Sequence, residues 1–80
     1  MFYVYILKSL SFPNKYYTGY TTDLKKRILK HNYGEVPSTT KFKPWELYCY
    51  FAFQTKEKAM AFEKYLKTHS GRAFASKHFW

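Results

Sequence analysis

Residues 2–8 read Phe-Tyr-Val-Tyr-Ile-Leu-Lys, and residues 16–20 read Tyr-Tyr-Thr-Gly-Tyr. Aromatic and β-branched residues dominate both segments, which is typical of β-strands. The pair Pro13-Asn14 between them is a turn signal, so the two strands are predicted to form a hairpin. Gly19 interrupts the second strand, where a glycine usually marks a bulge or a close approach to the backbone.

A helix and a loop are predicted after the hairpin. Thr22 is a candidate N-cap for a helix that runs from Asp23 to Asn32 or Tyr33. Residues 35–44 contain two prolines and several polar side chains, so they are predicted to form a loop.

The second half of the chain supplies one more strand and two helices. Residues 45–53 are nearly all apolar, which predicts a central strand covered on both faces. Thr55 is predicted to cap a helix over residues 56–67, and a short third helix is predicted over residues 72–78. The order β-β-α-β-α-α predicts an α+β fold, with a small three-stranded mixed or antiparallel sheet flanked by helices. One domain is predicted to span residues 1–80.

Composition and charge indicate which partners and which location to expect for this chain. Hydrophobic residues make up 46% and aromatic residues 24% of the 80 residues, which argues against disorder. Fourteen Lys and Arg residues against five Asp and Glu residues give a net charge of +9, which attracts polyanions such as nucleic acids or an anionic membrane surface. Cys49 is the single cysteine and no apolar run reaches the roughly 18 residues of a membrane span, so a reducing, cytoplasmic location without membrane insertion is predicted.

Glu63 is an unusual residue for its position. At helical spacing it shares a face with the apolar residues Phe62 and Leu66, where an unpaired carboxylate is costly. Two interpretations stay open at this point. Glu63 is either a half-buried partner of a basic side chain or a ligand for a hard divalent cation.

Arg27 and His31 lie four residues apart on the first predicted helix, so both side chains can reach one site. A guanidinium suits a bidentate grip on phosphate, and an imidazole can transfer protons near neutral pH. The alternatives are that Arg27 is a solvated member of the Lys25-Lys26-Arg27 run and that His31 is a satisfied histidine at the border of the core. Together with Glu63 and a basic surface, these residue types describe metal-assisted phosphodiester hydrolysis.

At these residues the chain resembles a GIY-YIG nuclease domain, especially the small stand-alone bacterial members, and the resemblance covers nearly the whole chain. The first motif is present as Val4-Tyr5-Ile6 and the second as Tyr17-Thr18-Gly19. The other matching segments are Thr21-Thr22-Asp23-Leu24, Arg27, His31-Asn32-Tyr33-Gly34, Pro44-Trp45 and Glu63.

The resemblance implies a role for each matching side chain. Tyr5 would position or activate the attacking water, and Tyr17 would act as general base or hydrogen-bond the scissile phosphate. His31 would orient water or shuttle a proton, and Arg27 would stabilise charge on the phosphate. Glu63 would bind one Mg²⁺ or Mn²⁺ ion. Gly19 would allow a close approach of its backbone to the site.

The predicted function is therefore a metal-dependent DNA endonuclease. Branched or single-stranded DNA is the preferred form by resemblance, RNA stays open as a substrate, and a protein partner could supply specificity. The candidate phosphate-binding lysines are Lys25, Lys26, Lys30, Lys41 and Lys43. The main alternative is a nucleic-acid-binding module on the same scaffold that cuts poorly or not at all. A further alternative is a non-catalytic interaction protein that docks through a sheet edge or through Phe79-Trp80.

Overall fold

A computed structural model describes residues 1–68 and residue 77. The elements are β1 (Phe2–Ser9), β2 (Tyr16–Thr21), α1 (Leu24–Asn32), α2 (Pro37–Thr40), β3 (Trp45–Phe53) and α3 (Lys56–Leu66). This arrangement confirms the α+β prediction. The helix predicted over residues 72–78 falls, apart from residue 77, outside the described residues.

The three strands form one antiparallel sheet in the order β2-β1-β3. The predicted hairpin joins β1 to β2, and its turn is closed by the amide of Lys15, which donates to the carbonyl of Phe12 at 2.9 Å. The register between β1 and β3 shifts between Ile6 and Leu7, where β3 carries one extra residue.

The prediction of β3 as the central strand is wrong, because β1 is central and β3 lies at an edge. Four successive residues of β1, Val4 to Leu7, have no exposed surface. In β3, by contrast, the apolar side chains include Leu47 and Tyr50, which are 37% and 52% exposed. An unbroken apolar run does not distinguish a central strand from an edge strand whose aromatic rings are half covered.

Successive residues of β1 face two different cores, because side chains alternate across a strand. Val4 and Ile6 pack with Ala59 and Leu66 of α3 on one face of the sheet. Tyr5 and Leu7 pack on the opposite face, against residues that come from β2, α1, the segment after α2 and β3: Tyr17, Leu24, Ile28, Phe42 and Trp45.

The helices of the structure correct two predictions and confirm one. Asp23, not Thr22, caps α1, because Asp23 has an extended backbone and its carboxylate accepts the amide of Lys26 at 3.1 Å. The predicted loop over residues 35–44 contains the short helix α2, which has a proline at its first turn. Thr55 caps α3 as predicted, with its hydroxyl accepting the amide of Lys58 at 3.2 Å.

Among the helices of the described residues, none combines the length and the apolar character that crossing a membrane requires.

Candidate active site

The Tyr5 hydroxyl is the centre of a hydrogen-bonded group beneath α1. Tyr5 lies on β1 with no exposed surface, and its hydroxyl oxygen is 2.8 Å from Nε2 of His31. Nε of Arg27 donates to the same oxygen at 3.3 Å. Because Arg27 and His31 are one helical turn apart on α1, both reach down to one atom of the sheet, as their spacing predicted.

Gly19 makes room for this tyrosine. It is the β2 partner of Tyr5 in the antiparallel register, so any side chain at this position would project toward the Tyr5 ring. A Cβ atom built on Gly19 would overlap the hydroxyl and the ring carbons of Tyr5. The close approach that the glycine suggested is therefore that of the tyrosine ring to the β2 backbone.

His31 is fully buried, and both of its ring nitrogens are hydrogen-bonded. Nε2 faces Tyr5, and Nδ1 lies 2.7 Å from the hydroxyl oxygen of Thr39. Burial, with a smaller contribution from the charge on Arg27, lowers the pKa of His31 to about 4. The imidazole is therefore neutral at pH 7. His31 is a satisfied core histidine that also contacts Tyr5, so the two interpretations of this residue do not exclude each other.

Arg27 carries the positive charge of this group. Its hydrogen bond to Tyr5, and more weakly its contact with Tyr17, raise its pKa, whereas burial opposes them. For Tyr5 the effect of burial is the opposite, because burial raises the pKa of the phenol more than the hydrogen bond from Arg27 lowers it. The phenol therefore stays protonated at neutral pH. A protonated phenol beside a neutral imidazole and a guanidinium is an arrangement that can move a proton and hold an anion.

Tyr17 forms the wall of the site on the β2 side. Its ring centroid lies 5.1 Å from that of His31 and 6.4 Å from that of Tyr5. The structure therefore brings both motif tyrosines, the arginine and the histidine into one cluster. The ring also contacts Trp45, with centroids 6.4 Å apart, which joins the cluster to the core on this face.

Glu63 reaches this region from α3 on the other face of the sheet. Its side chain is 17% exposed, and one carboxylate oxygen lies 3.3 Å from Nζ of Lys67. The same ammonium group lies 5.9 Å from the centre of the Tyr17 ring, so Lys67 contacts both Glu63 and Tyr17. The interpretation of Glu63 as a half-buried partner of a basic residue describes this contact.

The donor set limits how a metal ion could bind. Within residues 1–68 and 77 there is no group of three or more His, Cys, Asp or Glu side chains that could hold an ion. Glu63 would therefore supply a single carboxylate, with water and substrate phosphate completing the shell. Mg²⁺ commonly binds in this way, because it keeps several waters and takes one or two carboxylates. The residues present fit such an ion.

An open depression of about 340 Å³ adjoins Arg27 at the start of α1. Its lining residues are Thr21, Thr22, Asp23, Lys26, Arg27 and Lys30. Of the five predicted phosphate-binding lysines, Lys26 and Lys30 line this depression. Lys25, Lys41 and Lys43 are exposed elsewhere, and Nζ of Lys41 lies 5.8 Å from the Phe42 ring centre.

Two polar residues to which the sequence analysis gave no role complete the site. Thr39 of α2 is buried against His31, and Asn32 uses its amide to fix the start of β3. The Asn32 amide nitrogen donates to the carbonyl of Trp45 at 3.0 Å, and its oxygen accepts the amide of Trp45 at 2.6 Å. Nothing in the pattern around Thr39 distinguished it from the other hydroxyl residues of the predicted loop.

An antiparallel three-stranded sheet that presents two motif tyrosines to an arginine and a histidine of the next helix is the arrangement of the GIY-YIG catalytic domain. The sequence model of that domain matches residues 1–77, and the chain belongs to the GIY-YIG family. Relatives include UPF0213 proteins of Streptococcus pyogenes serotypes M3 and M1, which are 40% identical over 72 residues, or 89% of this chain and 76% of each relative.

A solved structure agrees with this assignment. The solution NMR structure of a UPF0213 protein from Bacillus halodurans is 36% identical, with a TM-score of 0.56 over 99% of this chain and 87% of that chain. GIY-YIG catalytic domains are nuclease domains that generally use a divalent metal, so membership indicates nuclease activity on a nucleic acid.

Proposed function

We propose that this chain is a divalent-metal-dependent endonuclease that hydrolyses phosphodiester bonds in DNA. The observation that carries the proposal is the position of the Tyr5 hydroxyl between the Arg27 guanidinium and Nε2 of a neutral His31. A hydroxyl held between a cation and an acceptor nitrogen can receive a proton from water on one side and release its own on the other.

In this mechanism the proton of the attacking water moves to the Tyr5 oxygen, and the original Tyr5 proton moves to Nε2 of His31. The hydroxide so formed attacks phosphorus in line with the leaving oxygen, the bond between phosphorus and that oxygen breaks, and the leaving oxygen takes up a proton from solvent. His31 then returns its proton to the Tyr5 oxygen, and Tyr5 releases its extra proton to solvent. Arg27 remains cationic and stabilises the charge that develops on the phosphate. Tyr17, at the rim of the same cluster, is proposed to hydrogen-bond the scissile phosphate.

Glu63 is proposed to hold one Mg²⁺ or Mn²⁺ ion, which would neutralise the leaving oxygen and the phosphate. Its side chain is 17% exposed and lies at the edge of the site, so a hydrated ion can reach the carboxylate. The surface pair with Lys67 is weak, at about 0.3–0.5 kcal/mol for an i,i+4 pair, so an ion can replace the ammonium group.

The depression beside Arg27 is proposed to seat the phosphate backbone that flanks the cut. Lys26 and Lys30 line it together with Arg27, so contacts there would be to phosphate and would not depend on base sequence. Branched or single-stranded DNA stays the proposed preference, with RNA to be tested beside it. A protein partner is proposed to add specificity. A single domain over residues 1–80 and a cytoplasmic location stay predictions.

One observation favours a second candidate, a binding module that cuts poorly. The carboxylate of Glu63 is paired with Lys67, which would weaken its hold on an ion. In that case the basic depression would still bind nucleic acid, but binding would not depend on metal.

Cleavage assays separate the two candidates. Labelled duplex, single-stranded and branched DNA and an RNA would be incubated with wild type, Glu63→Ala and Tyr5→Phe in Mg²⁺ or Mn²⁺ at low salt. Glu57→Ala is the matched control, because Glu57 is an exposed carboxylate at the other end of the same helix. If wild type and Glu57→Ala cut the substrate and neither Glu63→Ala nor Tyr5→Phe does, the nuclease is supported. Salt-sensitive binding without cutting by any protein would support the binding module.

A further inference from the structure

The ring of His31 can serve the proposed proton transfer only if Nε2 carries no hydrogen. A neutral imidazole holds its one N–H on either Nδ1 or Nε2, and its neighbours determine which. The neighbour on the Nδ1 side is Thr39, whose hydroxyl oxygen is 2.7 Å from that nitrogen. Thr39 is 1% exposed, so water is largely excluded from this contact.

A count of hydrogens assigns the direction of each bond. The Thr39 hydroxyl also lies 3.2 Å from the carbonyl oxygen of Val36, which can only accept. If Thr39 donates to Val36, then Nδ1–H of His31 donates to Thr39, and Nε2 accepts the hydroxyl of Tyr5. The Tyr5 oxygen in turn accepts from Arg27. Each hydrogen is used once, and all four contacts are bonds.

The opposite direction leaves the Tyr5 proton without a bond. If Thr39 donated to Nδ1, the Val36 carbonyl would lose the Thr39 hydroxyl but would still accept the amides of Thr39 and Thr40. Nε2–H and Arg27 would then both donate to the Tyr5 oxygen, and among the described residues no bond remains for the Tyr5 proton.

We propose that Thr39 is a positioning residue that holds His31 in the Nδ1–H tautomer and so leaves Nε2 as the acceptor for the Tyr5 proton. The consequence for cleavage rests on the proposed nuclease function, whereas the tautomer itself does not. Thr39 reaches His31 because α2 lies beside α1, and its own carbonyl is fixed by the indole of Trp45, which donates to it at 2.9 Å.

The tautomer is read directly from two-bond ¹⁵N–¹H correlation spectra of the uniformly ¹⁵N-labelled full chain at neutral pH. The His31 ring is assigned by its absence in His31→Gln. The wild-type spectrum is expected to show a protonated Nδ1 and a free Nε2. Thr39→Val keeps the shape of the side chain and removes the acceptor, so the Nε2–H form is expected to gain population. Thr39→Ser is expected to keep the wild-type tautomer.

Thr40→Val is the matched control. Thr40 is the next residue on α2, and its hydroxyl donates to the carbonyls of Gly34 and Val36 without touching His31. This variant is expected to keep the wild-type tautomer. In cleavage assays Thr39→Val is expected to lower kcat by about 10- to 100-fold, by analogy with the loss of a group that orients a metal-ligating histidine, with KM little changed. Thr39→Ser is expected to recover the rate.

An Nε2–H tautomer in wild type overturns the proposal, and so does an unchanged tautomer in a folded Thr39→Val. If Thr39→Val does not fold, the wild-type and Thr39→Ser spectra still test the assignment. The expected tautomers in a protein that cuts no substrate would leave the positioning role intact and contradict the proposed nuclease function.

Discussion

His31 shows how one buried residue joins stability to chemistry. A histidine on the border of an apolar helix face is usually a satisfied core residue, and its hydrogen bonds to Tyr5 and Thr39 agree with that view. One of its two partners is nevertheless a motif tyrosine, so the packing that buries the ring also fixes the atom to which a proton can go. Sequence spacing predicted that Arg27 and His31 share a site, because i and i+4 neighbours need no tertiary information.

The lowered pKa of His31 predicts a loss of stability in mild acid. The pKa falls from 6.5 to about 4 on folding, so between these values the unfolded chain binds a proton that the folded chain does not. The free energy of unfolding therefore decreases as the pH falls through this window, by on the order of 3 kcal/mol at most. Urea denaturation at pH 7, 6, 5 and 4 measures the effect, with His31→Gln as the reference that lacks it. Parallel pH curves for the two proteins would contradict this expectation.

Gly19→Ala is expected to displace the Tyr5 ring. The new methyl group would occupy the space of the Tyr5 hydroxyl, and overpacking of this kind costs about 1–3 kcal/mol. The change is also expected to abolish cleavage, because Tyr5 would leave His31. Thr18→Ala is the control, since Thr18 neighbours Gly19 on β2 and faces the other side of the sheet. Urea denaturation of both variants checks the prediction, which fails if Gly19→Ala costs no more than Thr18→Ala.

At the scale of elements, local signals were more informative than apolar content. The turn at Pro13-Asn14 and the cap at Thr55 were predictable, because each depends on residues adjacent in sequence. The edge position of β3 and the helix α2 were not predictable in this way. The edge position of β3 depends on its pairing with β1, which is distant in sequence. Helix α2 depends on the contacts of Thr39 with His31 and with the indole of Trp45.

The cap of α1 offers a direct comparison of two neighbouring residues. Asp23→Ala removes the acceptor for the Lys26 amide and is expected to lower the free energy of unfolding by about 1 kcal/mol. Thr22→Ala is expected to change it by less than about 0.5 kcal/mol, because Thr22 is exposed and does not cap the helix. Thermal or urea denaturation of both variants measures the difference. A larger loss in Thr22→Ala would restore the sequence-based prediction of the cap.

For the whole molecule, the net charge of +9 predicted a polyanionic partner but did not locate its binding surface. The fold concentrates part of that charge beside Arg27, where Lys26 and Lys30 line one depression. The remaining candidate lysines do not line it, because their positions depend on how α1 and the α2 segment pack on the sheet. The sequence therefore did not indicate which of the five candidate lysines line this depression, and the role of all five in binding phosphate stays a prediction.

The salt dependence of DNA binding tests this surface. Lys26→Gln and Lys30→Gln are each expected to weaken binding and to reduce the slope of log K against log salt by about 1. Lys58→Gln removes an exposed lysine from the first turn of α3 and is expected to leave the slope unchanged. Titration of labelled duplex by fluorescence anisotropy in EDTA, in a Glu63→Ala background, measures binding without cutting. Equal slopes for all three variants would contradict a backbone contact in the depression.

The alternation of side chains along β1 also separates two tasks for anyone who wishes to re-engineer this small domain. Val4 and Ile6 face Ala59 and Leu66, whereas Tyr5 projects to the opposite side of the sheet. A combinatorial library confined to Val4, Ile6, Ala59 and Leu66 would search for heat-resistant variants without replacing any of the polar side chains that surround the Tyr5 hydroxyl. Val4 and Ile6 can thus be varied separately from Tyr5, while Glu63 on α3, the proposed metal ligand, is held unchanged.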